Sequence, residues 1–412
     1  MSSFSISAVI IGYVWPEPDS SAAGQNMMAL MRQLTDAGMQ VTFMTAAADS
    51  AHKADLSALG VSAIPVSLNC SSFDEQLAEL NPSLVIFDRY MTEEQFSWRV
   101  RRACPDAIRI LNTEDLHFLR NARHDAVKSG LPASQASLNT TLMQRELASI
   151  LRSDLTLLVS REEQRLLSQE LGVPPDQLVY HPLPVIAAEN EPRGFDARSD
   201  FVFIGNFRHA PNWDAVLQLQ QCWPAIRKAL PSAVLRIYGA YPPKKATAMH
   251  NPARGFFIEG WADDASEVIR QARVLLAPLR FGAGVKGKLL SAMALGTPSV
   301  TTSIGAEGIA SATDWPGAVS DDADEFAREA VALYTDPARW QHAQAATQPC
   351  IAQYLNQPDA DTLLARLDAL LKDPDAFRRA RYLQGMLWHH TLRSTQYMSQ
   401  WIEAKNTHDS GQ

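Results

Sequence analysis

Cysteine is scarce: Cys70, Cys104, Cys222 and Cys350 are scattered over 412 residues without a C-x-x-C spacing. That pattern argues against a zinc site and against a disulfide framework. Such thiols suit a reducing compartment, and a cytoplasmic location is expected. Excess positive charge is also lacking. A net charge of −8 gives no general attraction to nucleic acid or anionic lipid, since both reward a basic surface. Any anion site must therefore be local, and no nucleic-acid partner is expected. Long hydrophobic runs are missing too. The segment SISAVIIGYVWP has neither a basic n-region nor a small-residue cleavage site, so it reads as a buried first strand, and no apolar run approaches a membrane span. Internal short repeats and low-complexity tracts do not occur.

What is present is an ordinary globular composition, 46% hydrophobic and 20% charged, in a chain too long for one average core. Two domains follow as the first expectation. Short apolar runs alternate with segments of helical period, the signature of parallel α/β units. In the first half the runs are AVIIGYV, QVTFMTA, SLVIFDR, AIRILNT, LTLLVS and LVYHPLP. Between the first two, AAGQNMMALMRQLTDAG is the clearest helix, stopped by Gly38 in the C′ position. The breaker-rich stretch PVIAAENEPRGFDARSD reads as a linker, after which FVFIGNF, AVLRIYG, FFIEGWA, VLLAPLR and PSVTTS restart the rhythm. After Asp321 the pattern is helical. The final stretch, RYLQGMLWHHTLRSTQYMSQWIEA, reads as a packing helix, with His389 and His390 in or beside a core rather than on a cofactor. The expected division is residues 1–187, residues 188–378, and a tail, 379–412, packing back on the N-terminal domain. In doubly wound sheets ligands gather at the carboxyl ends of the strands.

One such loop stands out. In VLLAPLRFGAGVKGKLLSAMALG a strand leads into a glycine-rich turn and an apolar helix, with Lys286 and Lys288 at the helix start. Cations there oppose the helix dipole unless an anion lies between them and the free N–H groups, so the arrangement points to a bound phosphate. Gly282, Gly287 and Lys288 also fit the spacing of a nucleotide-triphosphatase loop, but the next residue, Leu289, cannot hold magnesium as Ser or Thr would.

With its surroundings the loop resembles the retaining nucleotide-sugar glycosyltransferases of family four (group 1), which have two facing Rossmann-like domains, the GT-B fold. The matching stretches are YVWPEPDSSAAG, FVFIGNFRHAPNWDAV, FFIEGWADD and PLRFGAGVKGKLLSAMALGTPSVTTSIGAEGI. The resemblance implies an acceptor-binding first domain, a second domain that binds a nucleoside diphosphate sugar, a hydroxyl-bearing glycan, lipid-linked or protein acceptor, and no essential metal or other cofactor. No Asp-x-Asp occurs in a loop context suited to a metal. It further implies that Arg208, Lys286 and Lys288 neutralise the departing diphosphate, that Gly260 and Trp261 meet the base, and that the loop Gly305, Ala306, Glu307, Gly308 closes on the donor sugar or its phosphates. Gly205, Gly282 and Gly284 shape the turns beneath the donor. Two positions depart from the family's pair of glutamates, eight apart, and carry Ala283 and Ser291. Ser291, three residues after Lys288 on one helix face, is placed to turn its hydroxyl to the ribose.

The strand ends of the first half are acidic instead: Glu17 and Asp19, Asp88 with Arg89, then Glu114, Asp115 and His117. Carboxylates repel phosphate and hold hydroxyls, so this half reads as the acceptor side. Glu17, Asp19 or Glu114 orients the acceptor or takes its proton, and His117 lies close to Glu114 in sequence. The expected activity is transfer of a hexose with retention at the anomeric carbon. The alternatives are a catalytically silent nucleotide-sugar-binding subunit, favoured by Ala283 and Ser291, and a non-hydrolysing sugar-nucleotide epimerase.

Overall fold

The computed structural model describes residues 6–186, 191–356, 362–390 and 392–409. The domain boundary expected at 187/188 lies outside the described residues. The first sheet is parallel and contains β1 (Ser7–Gly12), β2 (Gln40–Thr45), β3 (Ser62–Pro65), β4 (Leu84–Asp88), β5 (Ile108–Asn112), β6 (Leu155–Leu158) and β7 (Leu178–Tyr180). Their order is β3-β2-β1-β4-β5-β6-β7. A second parallel sheet holds β8 (Ser199–Ile204), β9 (Leu235–Tyr238), β10 (Phe256–Gly260), β11 (Ala272–Ala277), β12 (Ser299–Thr301) and β13 (Gly317–Val319), in the order β10-β9-β8-β11-β12-β13.

Central strands such as LVIFD and IRILN are buried throughout. Helices cover both faces of the sheet, so a strand there reads as a continuous apolar run rather than as alternation. The helix Ala22–Asp36 shows how one face is covered. Ser21 caps it by accepting from the Gly24 N–H at 3.0 Å, Met27, Leu30, Met31 and Leu34 are buried at helical spacing, and Gly38 turns the chain away at φ +81°.

Strand order reverses between β1 and β4, and again between β8 and β11. The loops after these strands face one another across the cleft, which is where the carboxyl ends of a doubly wound sheet leave room for a ligand. Two strands were not anticipated. β3 is an exposed edge of sequence SAIP, and β13 has three residues.

The helix Pro337–Leu355 contributes Trp340, Ile351 and Tyr354 to the second core, whereas Leu363, Leu367 and Leu370 of the helix Leu363–Lys372 sit in the core beneath the first sheet. Beyond them Arg378 donates to both oxygens of the buried Asp154 (3.0 and 2.7 Å), Gln384 Nε2 donates to Asp154 Oδ1 and to the Arg152 carbonyl (3.0 Å each), and Trp388 and Leu392 pack on Trp98. His389 and His390 are exposed. This corrects the core placement expected of them. The helix packs through the positions one and five residues before His389, and its remaining faces stay in solvent.

Candidate functional site

The glycine-rich turn expected to hold phosphate does precede a helix, Gly287–Ala294, with Lys286 at its N-cap. The two lysines diverge. Lys286 Nζ bends back to its own loop, donating to the Gly284 carbonyl at 2.8 Å, and burial lowers its pKa against the pull of Glu307. Lys288 crosses to the turn after β8. Its ammonium donates to Asn212 Oδ1 and lies 4.4 Å from the centre of the Phe203 ring. Burial pushes its pKa down to about 7, and no carboxylate opposes the shift. A cation held by an amide and an aromatic ring is poorly compensated, so this position favours an incoming anion. Gly205 makes the approach feasible, because a β-carbon there would lie 2.7 Å from both Asn212 and the Lys288 nitrogen.

Around this ammonium lie other expected donor residues. Arg208 is exposed, its guanidinium 3.5 Å above the Tyr241 ring. Gly260 adopts φ +79°, and next to it Trp261 stacks on His52 of the first domain, rings 3.9 Å apart and 12° from parallel. Asp19, Gly205 and Trp261 line a cavity of about 30 Å³, too small for a nucleotide while the domains stand this close. Ser291 is half-buried between fully buried Leu290 and Ala292. Ala283 turns the other way and packs into the apolar core of the first domain.

The remaining expected residues join the two domains. Gly284, at φ +61°, donates its N–H to Glu163 Oε1 at 2.8 Å, and a β-carbon on it would meet the Asp115 β-carbon at 2.9 Å. Glu307 receives both arms of Arg123 at 2.7 Å each, while Arg123 also donates to the Gly282 carbonyl at 2.8 Å. Gly308, at φ +78°, comes close to Ser160.

On the first-domain side the acidic strand ends are mostly engaged. Glu17 accepts from Ser20 at 2.6 Å, from Ser50, and across the cleft from Tyr241 at 3.0 Å. Partial burial acts to raise its pKa, but these hydroxyls outweigh it and leave the carboxyl below its usual range. Asp115 pairs with Arg120. His117 opens the helix His117–Lys128, its Nδ1 3.1 Å from the Asp115 carbonyl and 3.6 Å from Glu146.

Glu114 differs from these. It occupies left-handed backbone, φ +62°, buried against Asp88 and Arg89, and accepts from Asn26 at 3.2 Å and Asn112 at 2.8 Å. Burial and the Asp88 charge raise its pKa more than Arg89 and the amides lower it. Glu163, whose Oε2 has no hydrogen-bond partner, is raised to about 8 by burial and by Asp115. The site thus keeps two carboxyl groups that exchange a proton near neutral pH. Sequence reasoning missed Asn26, His52, Arg123, Glu163, Asn212 and Tyr241. Of these only Asn26, in the helix read as the clearest, and Asn212 lay within a stretch that had drawn attention. Among the described residues no group of three His, Cys, Asp or Glu side chains is placed to hold a metal, and no helix is long and apolar enough to cross a membrane.

Two facing doubly wound sheets, with cations on one side of the cleft and carboxyls on the other, form a recurring architecture. The chain superimposes on TarM with a TM-score of 0.67 at 8% identity, over 90% of this chain and all of that one. The fold is GT-B. Sucrose-phosphate synthase from Thermosynechococcus elongatus shares this GT-B arrangement at a TM-score of 0.64 and 14% identity, covering 92% of this chain and 99% of that one. So does Anabaena HepE in complex with UDP-glucose, at 0.62 and 10% identity over 90% and 100% of the two chains. In sequence, residues 198–336 match the family model described as glycosyl transferases group 1. That span runs from just before β8 to just after the helix Ala323–Thr335 and contains every expected donor residue. No protein of curated function matches the chain in sequence.

Proposed function

We propose that the protein transfers a hexose from a nucleoside diphosphate sugar to a hydroxyl acceptor, with retention at the anomeric carbon. The observation that carries this reading is Lys288, a buried ammonium without a counter-ion among the described residues, beside a helix N-terminus and the glycine turn of β8. A diphosphate supplies the missing charge, and the same contacts strengthen as negative charge develops on the leaving group. Arg208 joins from the rim. Lys286, held over its own loop toward Glu307, keeps that loop in shape. Trp261 and Gly260 take the base, Ser291 faces the ribose, and Gly282, Glu307 and Gly308 border the sugar.

In this reading residues 1–187, together with the helices from Leu363 onward, form the acceptor side and residues 191–356 the donor side, so the return to the first domain comes before Leu363 and not at the expected 378. Glu114 handles the acceptor proton, because it is the acidic strand end that changes protonation near neutral pH. Glu17 is ionised and committed to three hydroxyls, which suits holding the loops together. Asp19, beside Gly205 and Trp261, lies closer to the nucleotide than to the acceptor. Since His52 covers Trp261, the nucleotide must part the domains to reach the base position, and reclosure excludes water from the reacting sugar.

The test is release of UDP from UDP-glucose, the donor seen with HepE, in the presence of hydroxyl acceptors, measured for the native chain and for Lys288→Ala and Glu114→Gln. Lys288→Ala should weaken nucleotide binding, whereas Glu114→Gln should bind nucleotide and transfer slowly. A silent nucleotide-sugar-binding subunit is the second reading, favoured by Ala283, which places a methyl group in the neighbouring domain's core where relatives carry a carboxylate. It requires tight nucleotide-sugar binding without release under any acceptor.

A further inference from the structure

The last two helices of the chain, Tyr382–His390 and Arg393–Asp409, pack on the first domain with their polarity reversed. On the longer one Ser399 and Glu403 face the domain. The Ser399 hydroxyl accepts from Arg99 at 3.1 Å, and Glu403 accepts from the Ser71 N–H at 2.7 Å. Two residues before each of these, and so more than half a turn round the helix, stand Tyr397 and Trp401, 61% and 60% exposed, with Met398 beside them at 58%. The shorter helix repeats the arrangement. Gln384 and Trp388 are buried, whereas Tyr382 and Met386, again two residues earlier, are exposed together with Leu383.

A helix docked on a folded domain gains by turning its apolar side chains inward and leaving the polar ones in water. Here Gln384, Ser399 and Glu403 are engaged on the docking face, while two tyrosines, a tryptophan and two methionines are left outside. Large apolar side chains gathered on an outer surface mark contact with another body. Charge says which. Residues 378–405 carry five Arg and Lys and one Glu, in a chain whose net charge is −8. Arg378 and Arg381 are paired with Asp154 and Asp176. The other three cations are exposed, and each lies three or four residues from an outward aromatic: Arg379 before Tyr382, Arg393 before Tyr397, and Lys405 after Trp401, its ammonium 5.7 Å from the ring centre. A second copy of this face would set cation against cation. An anionic lipid surface takes both parts, its headgroups meeting the cations while the rings settle at headgroup level.

We propose that the outer face of these two helices docks the protein on an anionic lipid bilayer, with Tyr382, Tyr397 and Trp401 in the interface and Arg379, Arg393 and Lys405 on the headgroups. The proposal stands apart from the transferase reading, because this face carries none of the residues given a donor or catalytic role. Sedimentation of the full chain with vesicles tests it, using phosphatidylcholine alone and phosphatidylcholine mixed with phosphatidylglycerol. The chain should sediment with the mixed vesicles and not with the neutral ones, and added salt should release it. Arg379→Gln, Arg393→Gln and Lys405→Gln combined should weaken partitioning about 100-fold, at the scale expected for three cations near a charged surface. Tyr397→Ser combined with Trp401→Ser should abolish it. All five positions are exposed, so both variants should keep the native circular dichroism and UDP binding, and the glutamine variant decides alone if the other fails to fold. Absence of sedimentation with the mixed vesicles, equal sedimentation with the neutral ones, or binding that a folded variant retains in full overturns the proposal. A dimer in light scattering that the serine variant dissociates, without vesicle binding, overturns it in favour of a second copy.

Discussion

At the scale of the residue, Lys288 sets the behaviour to expect. With its pKa held near 7 by burial, it is only partly charged at neutral pH, and a bound diphosphate would restore the full charge. Nucleotide binding between about pH 7 and 9 should therefore take up a proton, seen as a binding enthalpy that changes with the ionisation enthalpy of the buffer. Lys288→Ala should remove that dependence and weaken binding about 10- to 100-fold, the loss of one charge-assisted contact. Among the groups whose titration couples stability to pH, Lys288 and Glu163 act with opposite sign. The folded pKa of Lys288 lies below its unfolded value, so the unfolded chain binds the extra proton and this contribution makes the fold more stable as pH rises from about 7 toward 10.5. Glu163 is raised to about 8, so its contribution is complete below about 4.5 and is lost as pH climbs through 8. Glu163→Gln should match the native melting temperature near pH 4 and exceed it increasingly from there to pH 9. Ser291 stands half-exposed between buried neighbours, so Ser291→Glu should keep the melting temperature and tighten nucleotide binding, measured as a lower dissociation constant. Lys288 and Ser291 were legible because local rules flag a cation at a helix start and a small polar residue in an apolar segment. Glu163 and Arg123 were not, because they sit in ordinary helical sequence and gain their roles from partners 121 and 184 residues away.

At the scale of the element, the loop Gly282 to Lys286 is a domain joint. Its carbonyl at Gly282 and amide at Gly284 are both bonded to the first domain, so its geometry depends on the domains being together. Gly284→Ala places a β-carbon 2.9 Å from that of Asp115 in a left-handed conformation. It should leave each domain folded and hold them apart, visible as a larger radius of gyration in solution scattering. Arg123→Lys keeps the charge but loses the two-armed grip on Glu307, and should open the cleft in the same measurement. The order of central strands and the helices between them was readable from apolar runs and breakers. β3 and β13 were not, because one is an exposed edge without an apolar face and the other is shorter than any pattern can register.

At the scale of the molecule, the chain crosses between domains twice, and the second crossing makes the two halves unequal. Residues 191–356 hold most of one core, and expressed alone they should fold and bind nucleotide, measured by circular dichroism and calorimetry. The first domain lacks that independence. Its core is completed by Leu363, Leu367 and Leu370, and its buried Asp154 is met by Arg378 and Gln384 from the far end of the chain. A chain emerging from the ribosome therefore makes its N-terminal domain first and finishes it last, with an apolar groove and an under-compensated carboxylate open throughout synthesis. Any chain cut short before Leu363 keeps that groove, which is the kind of surface chaperones and proteases bind. The helices from Leu363 onward, which carry no expected donor or catalytic residue, are thus what closes the N-terminal domain.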